Sequence, residues 1–285
     1  MEQRKLKRIL IKHLGWLRNK KWGERANLRG SDLSYSNLRD TNLSYANLSH
    51  SDLSDANLRY ANLSYANLSG ADLSYSKLSH SKISNANLSY ANLSGANLRD
   101  SNLRDTNLSY ANLSYSNLSH SNLRDTNLSY SNLSYSNLSH SNLRDTNLSG
   151  AKLRDTNLSY ANLSVTDLSG ADFSDSNLRD TNLSGAKLCD TNFSDSKLSG
   201  TDLSGADIHN VICGDGIVIK TMSLKYRISL YKNVLSIGCR QYTIDEWFSF
   251  SDEQISKMDN GALNWWNEHK ALIRAFCDLN KKAGV

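Results

Sequence analysis

The sequence predicts an all-β solenoid of four-sided coils, with a helix ahead of it and a small α+β module behind it. Three observations lead there. An apolar residue returns at every fifth position from Leu28 to Ile208 without an insertion, which makes 37 consecutive units. Residues 101–120 recur at 121–140 with one change, Ala111 against Ser131. The chain of 285 residues contains no Pro, where average usage of ~5% would supply roughly 14. Such a chain suits a structure in which most backbone N–H groups serve as hydrogen-bond donors.

Residues 1–25 come first. Leu6, Ile9, Leu10, Leu14 and Leu17 recur at helical spacing, with Arg4, Lys5, Arg8, Lys12 and Arg18 largely off that stripe. The segment is read as an amphipathic helix capping the solenoid, because an uncapped solenoid exposes an apolar layer and an unpaired backbone edge. That need ranks a cap above a membrane-surface helix. The segment carries nine Lys or Arg and two Glu, a net +7.

Residues 26–210 hold the repeat. The unit is (A/S/T)-(N/D/K)-(L/F/I)-(S/R)-x, with the small residue two before each apolar centre, as at Ala26, Ser31, Thr41 and Ala206. Only Ile83, Phe173, Phe193 and Ile208 replace Leu. A period of five fits neither a helix nor a strand and excludes a heptad coiled coil. Ser and Asn also favour turns over helix interiors. The twenty-residue duplication is read as one complete coil of four pentads, since adding a whole coil preserves every neighbour contact.

Over this span the chain resembles the pentapeptide-repeat proteins. The resemblance implies a right-handed quadrilateral β-helix whose central Leu or Phe, and the small residue two before it, point inward while the other three positions point outward. Leu columns can stack at the inter-strand spacing, and only Ala, Ser or Thr leaves room beside them. Four pentads per coil make about nine coils and, at ~4.8 Å between strands, a rod roughly 44 Å long.

Residues 211–285 differ in kind. Gly214-Asp215-Gly216 marks a turn. Short strands are expected at 217–219, 226–230 and 234–237. Thr243-x-x-Glu246 and Ser251-x-x-Gln254 are capping boxes that open helices. A longer helix runs from Gly261 to Lys281, with Trp265, Trp266, His269, Leu272, Ile273, Phe276 and Leu279 as its stripe. The span is read as an α+β cap or interaction module. Its stretch from Cys239 to Trp266 resembles a C-terminal appendage of some phage and prophage pentapeptide-repeat proteins, which implies no chemistry.

Several function classes are set aside. No apolar run approaches the ~20 residues of a spanning helix, and Lys, Arg or His interrupts every apolar stretch of a would-be signal peptide. Cys189, Cys213, Cys239 and Cys277 form no C-x-x-C pair, so a cytoplasmic location with reduced thiols is expected. There is no phosphate-binding Gly-rich loop, H-E-x-x-H or G-x-S-x-G, and a filled rod offers no deep pocket. The chain is therefore read as no enzyme, with no cofactor and no metal.

The candidate sites lie on the outside of the rod. His120 and His140 are one coil apart, but Asp100 precedes them and Tyr160 follows, so the column is read as a solvated face. Tyr90, Tyr110 and Tyr130 form one column and Tyr115 and Tyr135 another. They are read as a stabilising ladder that can double as a partner surface. Arg104, Arg124 and Arg144 run beside Asp105, Asp125 and Asp145, so each column offsets the self-repulsion of the other. Residues 161–210 hold eight Asp against Arg179, Lys187 and Lys197, a net −5. There Asp175, Asp180, Asp190 and Asp195 form either a surface for a basic partner or solubilising charge.

The expected function is a non-enzymatic structural and interaction protein presenting a rigid surface to an unknown protein partner, with no membrane role. The resemblance supplies one rival, since some pentapeptide-repeat proteins mimic duplex DNA and bind DNA gyrase. Those rods are markedly acidic, whereas residues 26–210 total only −4 and lack the loop insertions of gyrase-protecting members. Nucleic-acid binding through the basic N-terminal arm is a weaker rival. Self-association is expected at the last helix, where Trp265, Trp266, Ile273 and Phe276 serve the cap or a symmetric homodimer.

Overall fold

The computed structural model describes residues 1–207, 211–213, 228–231, 234–237, 240–259 and 261–282. Its main body is a four-sided right-handed β-helix, the hand that crossovers between parallel strands take. The second residue of each pentad pairs in parallel with the residue twenty positions on, from Asn27 with Asn47 to Lys187 with Asp207. One coil is therefore four pentads.

The pentad at 46–50 shows why each position is restricted. Asn47 N donates to Ala26 O of the preceding coil (2.9 Å), while Leu48 N and His50 N donate to Asn67 O (2.7 Å) and Ser69 O (2.9 Å) of the next. Ala46 N closes the corner onto Leu43 O at 3.0 Å. Ser49 N donates to the Asn47 side chain, Oδ1, at 3.2 Å. All five N–H groups are engaged, so a Pro anywhere in the unit would lose a bond. That accounts for its absence from the rod. The side-chain acceptor also explains Asn and Asp at the second position, an Asx turn built into each side that carries one.

The fifth residue of each unit sits in the left-handed region, with φ between +55° and +64° at the Tyr corners. Positive φ there, together with the bond that closes the corner, makes a type II turn. Gly meets this demand freely, whereas Tyr and Val are strained. The sequence reading did not anticipate this conformation.

Inward, the leucines from Leu28 to Leu188 are at most 2% exposed. The small residues fill the space between them, and most of their hydroxyls find backbone partners, Ser36 and Ser136 being exceptions. Ser51 Oγ donates to Leu48 O within its own corner (2.6 Å), whereas Thr126 Oγ1 reaches Leu103 O of the coil before (2.9 Å). Phe173 and Phe193 stack at 5.0 Å.

Helix α1 (Gln3–Leu17) closes the first coil. Leu6 joins the rod core, and Ile9 and Leu10 pack against it. The buried stripe then turns to His13 rather than Leu14, which is exposed. The reason is the open backbone edge of the first coil. Ala26 N has no coil before it and donates instead to His13 Nδ1 at 3.1 Å, which a leucine could not accept.

At the other end, β1 (Asn192–Phe193) pairs in parallel with β2 (Ile212–Cys213), again twenty residues apart. The coil register thus runs past residue 210, and Val211 belongs to the rod core. The module follows as an antiparallel meander of β3 (Ile228–Tyr231), β4 (Val234–Ile237) and β5 (Arg240–Thr243). Strand β5 was not foreseen, and the strand expected at 217–219 lies outside the described residues. Helices α2 (Ile244–Ser249), α3 (Asp252–Ser256) and α4 (Ala262–Lys282) complete it. Both expected capping boxes form. The module has its own core, in which Trp247, Trp265, Trp266 and Ile273 pack with Leu235.

Candidate interaction surface

The corners carry what varies in the rod. Each corner residue meets its counterpart one coil away, so like rings fall into register. Tyr90 and Tyr110 stack at 5.0 Å, Tyr110 and Tyr130 at 5.2 Å, and Tyr115 and Tyr135 at 4.9 Å, with planes within 11° of parallel. All five rings are exposed. The spacing follows from the strand separation, and stacking partly covers each ring face while leaving its edge to solvent. Where Gly follows an aromatic corner, the ring lies over it. A Cβ at Gly95 or Gly150 would come within 2.7 Å of the ring of Tyr75 or Tyr130.

His120 and His140 stack at 4.9 Å, only 3° from parallel, and Tyr160 continues the column. Ring-nitrogen lone pairs lie in the ring plane, so parallel stacked imidazoles do not aim two of them at one point between the rings. No group of three or more His, Cys, Asp or Glu that could hold a metal occurs among the described residues.

The Arg and Asp columns interlock. Arg104 pairs with Asp105 (3.3 Å) and with Asp125 of the next coil (3.2 Å), and Arg124 does the same with Asp125 (3.3 Å) and Asp145 (3.8 Å). Each exposed pair contributes only ~0–1 kcal/mol, so the ladder orders this corner more than it stabilises it. On another corner Arg154 links Asp155 and Asp175. The Asp155 carboxylate, by its charge and a hydrogen bond, raises the pKa of the Tyr135 phenol.

The four acidic candidates do not share one face. In the twenty-residue register Asp175 and Asp195 stand on the corner of Asp155, whereas Asp180 and Asp190 stand on two others. The acidic end is a partial ring. Three of the four module candidates lie in the module's own core. Trp266 is 2% exposed and packs near Trp247 (5.6 Å) and Phe248 (5.4 Å). Trp265 and Ile273 are buried in the same core, and the side chain of Phe276 lies outside the described residues.

His13 carried no signal at the sequence level, although it fell within the helical stripe. Burial lowers its pKa, Arg25 adds to that effect, and the Ser44 carbonyl opposes it.

A family model for pentapeptide repeats matches the chain in eight overlapping copies, at residues 24–59, 51–89, 86–125, 106–145, 121–159, 136–175, 146–185 and 176–212. No curated protein matches. Among solved structures the chain is similar to HetL, a pentapeptide repeat protein involved in heterocyst differentiation regulation from the cyanobacterium Nostoc sp. strain PCC 7120. The identity is 29% over 72% of this chain and 96% of that one, with a TM-score of 0.48. A trypsin-treated form of QnrB1, a plasmid-mediated fluoroquinolone resistance protein, is 16% identical over 54% of this chain and 85% of its own, with a TM-score of 0.39. A pentapeptide repeat protein from the Arabidopsis thaliana thylakoid lumen is 27% identical over 36% and 68%, with a TM-score of 0.28.

Proposed function

Since the chain belongs to the pentapeptide-repeat family, we propose that it is a non-catalytic interaction protein whose rod offers its corners to a protein partner. One observation carries this reading. The backbone at every corner favours Gly, yet eleven corners hold Tyr at positive φ. Bulky side chains in that region are strained, and strain of this kind tends to collect where function needs it. The other four positions of the pentad are restricted by core packing or by turn hydrogen bonds. The corner is where this fold can be varied to suit a partner.

The test is site-specific photo-crosslinking in the source cell. A benzophenone amino acid replaces Tyr110, Tyr115, His120 or Asp125 one at a time, which samples the four corners. The same adduct from one or two adjacent corners, absent from the opposite ones, supports the reading. Adducts independent of corner contradict it.

The Asp155, Asp175 and Asp195 column favours a second reading, in which the acidic end imitates a row of phosphates and binds DNA gyrase. Here the protein inhibits gyrase supercoiling, and Asp→Asn changes at Asp175, Asp180, Asp190 and Asp195 relieve the inhibition. No inhibition at tens of micromolar removes it.

A further inference from the structure

Capping the rod uses only one side of α1. Leu6, Leu10 and His13 face the first coil at 4-3 spacing. Lys7, Ile11 and Leu14 repeat that spacing one residue on, about 100° round the helix, Arg18 follows one turn later, and together with Gly15, about 180° from Leu6, they make up the outer side. There Ile11 is 52% and Leu14 39% exposed. Trp22, 57% exposed, returns to the same side. Its ring lies against Gly15 so closely that a Cβ there would sit 2.3 Å from it. Gly15 is thus what lets an indole be seated on the outer face instead of hanging from a loop.

The helix lies across the end of the rod. Its start reaches one side, where the Met1 nitrogen donates to Asp32 O at 2.5 Å, and its far end reaches a corner, where Trp16 meets Tyr45 edge-on at 6.1 Å. The outer side, from Ile11 to the indole seated on Gly15, therefore faces away from the first coil. Its charge is one-sided. Of the two acids in residues 1–25, Glu24 is held by Lys12 at 2.6 Å. None of the ion pairs among the described residues uses Arg4, Lys7 or Arg18.

We propose that this outer face docks on an anionic lipid surface, with the rod standing away from the bilayer. This goes beyond the partner reading of the corners, does not depend on it, and departs from the sequence-based expectation of no membrane role. The combination of groups selects the partner. A nucleic-acid duplex would engage the cations but leave Ile11, Leu14 and Trp22 in water. A layer of anionic headgroups over acyl chains takes both, with Trp at the boundary and Lys and Arg reaching the headgroups. Placement at a free end lets a planar surface approach without meeting the rod.

The test is co-sedimentation of the full chain with phosphatidylcholine vesicles, with and without about one-third phosphatidylserine, the content that raises the negative surface potential. Binding is expected only to the anionic vesicles, and it weakens as salt rises. Each cation beside an anionic leaflet is worth about fivefold in partitioning, so Lys7→Gln with Arg18→Gln lowers binding about 25-fold. Ile11→Ser with Leu14→Ser lowers it about tenfold or more while the thermal melt stays unchanged, because both side chains are exposed. Three results each overturn the proposal: no binding to anionic vesicles at low salt, binding that survives the double serine change, or a preference for a 20-base-pair DNA duplex that survives it.

Discussion

Replacing Asn112 by Ala tests whether the second pentad position is a structural acceptor. Asn112 Oδ1 accepts from Ser114 N at 3.1 Å and from Asn132 Nδ2 at 3.4 Å, and Asn112 Nδ2 donates to Asn92 Oδ1 at 3.3 Å. Ala removes all three. The short bond to a half-buried backbone donor is worth ~0.5–1.5 kcal/mol, and the two longer ladder bonds add less, so the loss is about 1–2 kcal/mol. Lys82→Asn is the reverse experiment. Lys has no acceptor, and Asn there gains about 0.5–1.5 kcal/mol. Guanidinium unfolding of the full chain measures both. Repeat arrays need not unfold in one step, so hydrogen exchange at Ser114 is the sharper reading and should accelerate in Asn112→Ala. Changes below about 0.3 kcal/mol in both variants, well under one bond, with unaltered exchange at Ser114, would refute the argument.

Val165 is a β-branched residue at φ +60° with its side chain exposed, and Val165→Gly should stabilise by about 0.5–1 kcal/mol as the left-handed strain is relieved; a destabilised variant in chemical unfolding counts against the corner assignment. The pKa of His13 is held below its usual 6.5 in the fold, so its stabilising contribution is complete above that pH and is lost as pH falls through the folded value. Melting from pH 7.5 down to 5 should show that loss, and His13→Gln, which keeps an acceptor for Ala26 N, should flatten the profile; identical slopes contradict it. Leu123 is fully buried, so Leu123→Asp should abolish folding of the rod, whereas Tyr130→Ser at an exposed corner costs far less. Equal losses in thermal melts would refute the inward and outward assignment.

How much was legible followed the range of the forces involved. The pentad and the twenty-residue coil were readable because each unit repeats the same steric demand, so the pattern is printed 37 times. The capping boxes at Thr243 and Ser251 were readable because they are settled within four residues. The left-handed corners left a trace that went unread: Gly30, Gly70, Gly95 and Gly150 all stand at the fifth position, but Tyr, His and Asp there concealed the shared backbone. His13 was invisible because its partner is a single backbone donor left over at the edge of the first coil. The last paired segment escaped because Val211-Ile212-Cys213 lacks the small residue and the Asn, although the parallel register continues through it. Strand β5 adjoins a capping box, whose stronger local signal claimed Thr243 for the helix. The Tyr columns were legible as positions. Their strain, which carries the functional reading, needed the backbone.

The most direct test of the coil is a pair of deletions compared by thermal melting. Removing residues 121–140 takes out one whole coil, shortens the rod by ~4.8 Å, and brings Arg104 into register with Asp145 and His120 with Tyr160, so the charge ladder and one stack are restored. Removing residues 121–130 keeps the pentads but brings Asp105 against Tyr135 and Tyr115 against Asp145, so both columns are broken. The account predicts that the twenty-residue deletion folds and melts above the ten-residue one; a twenty-residue deletion that misfolds, or melts below its shorter counterpart, contradicts the four-sided coil with columns of interacting corners.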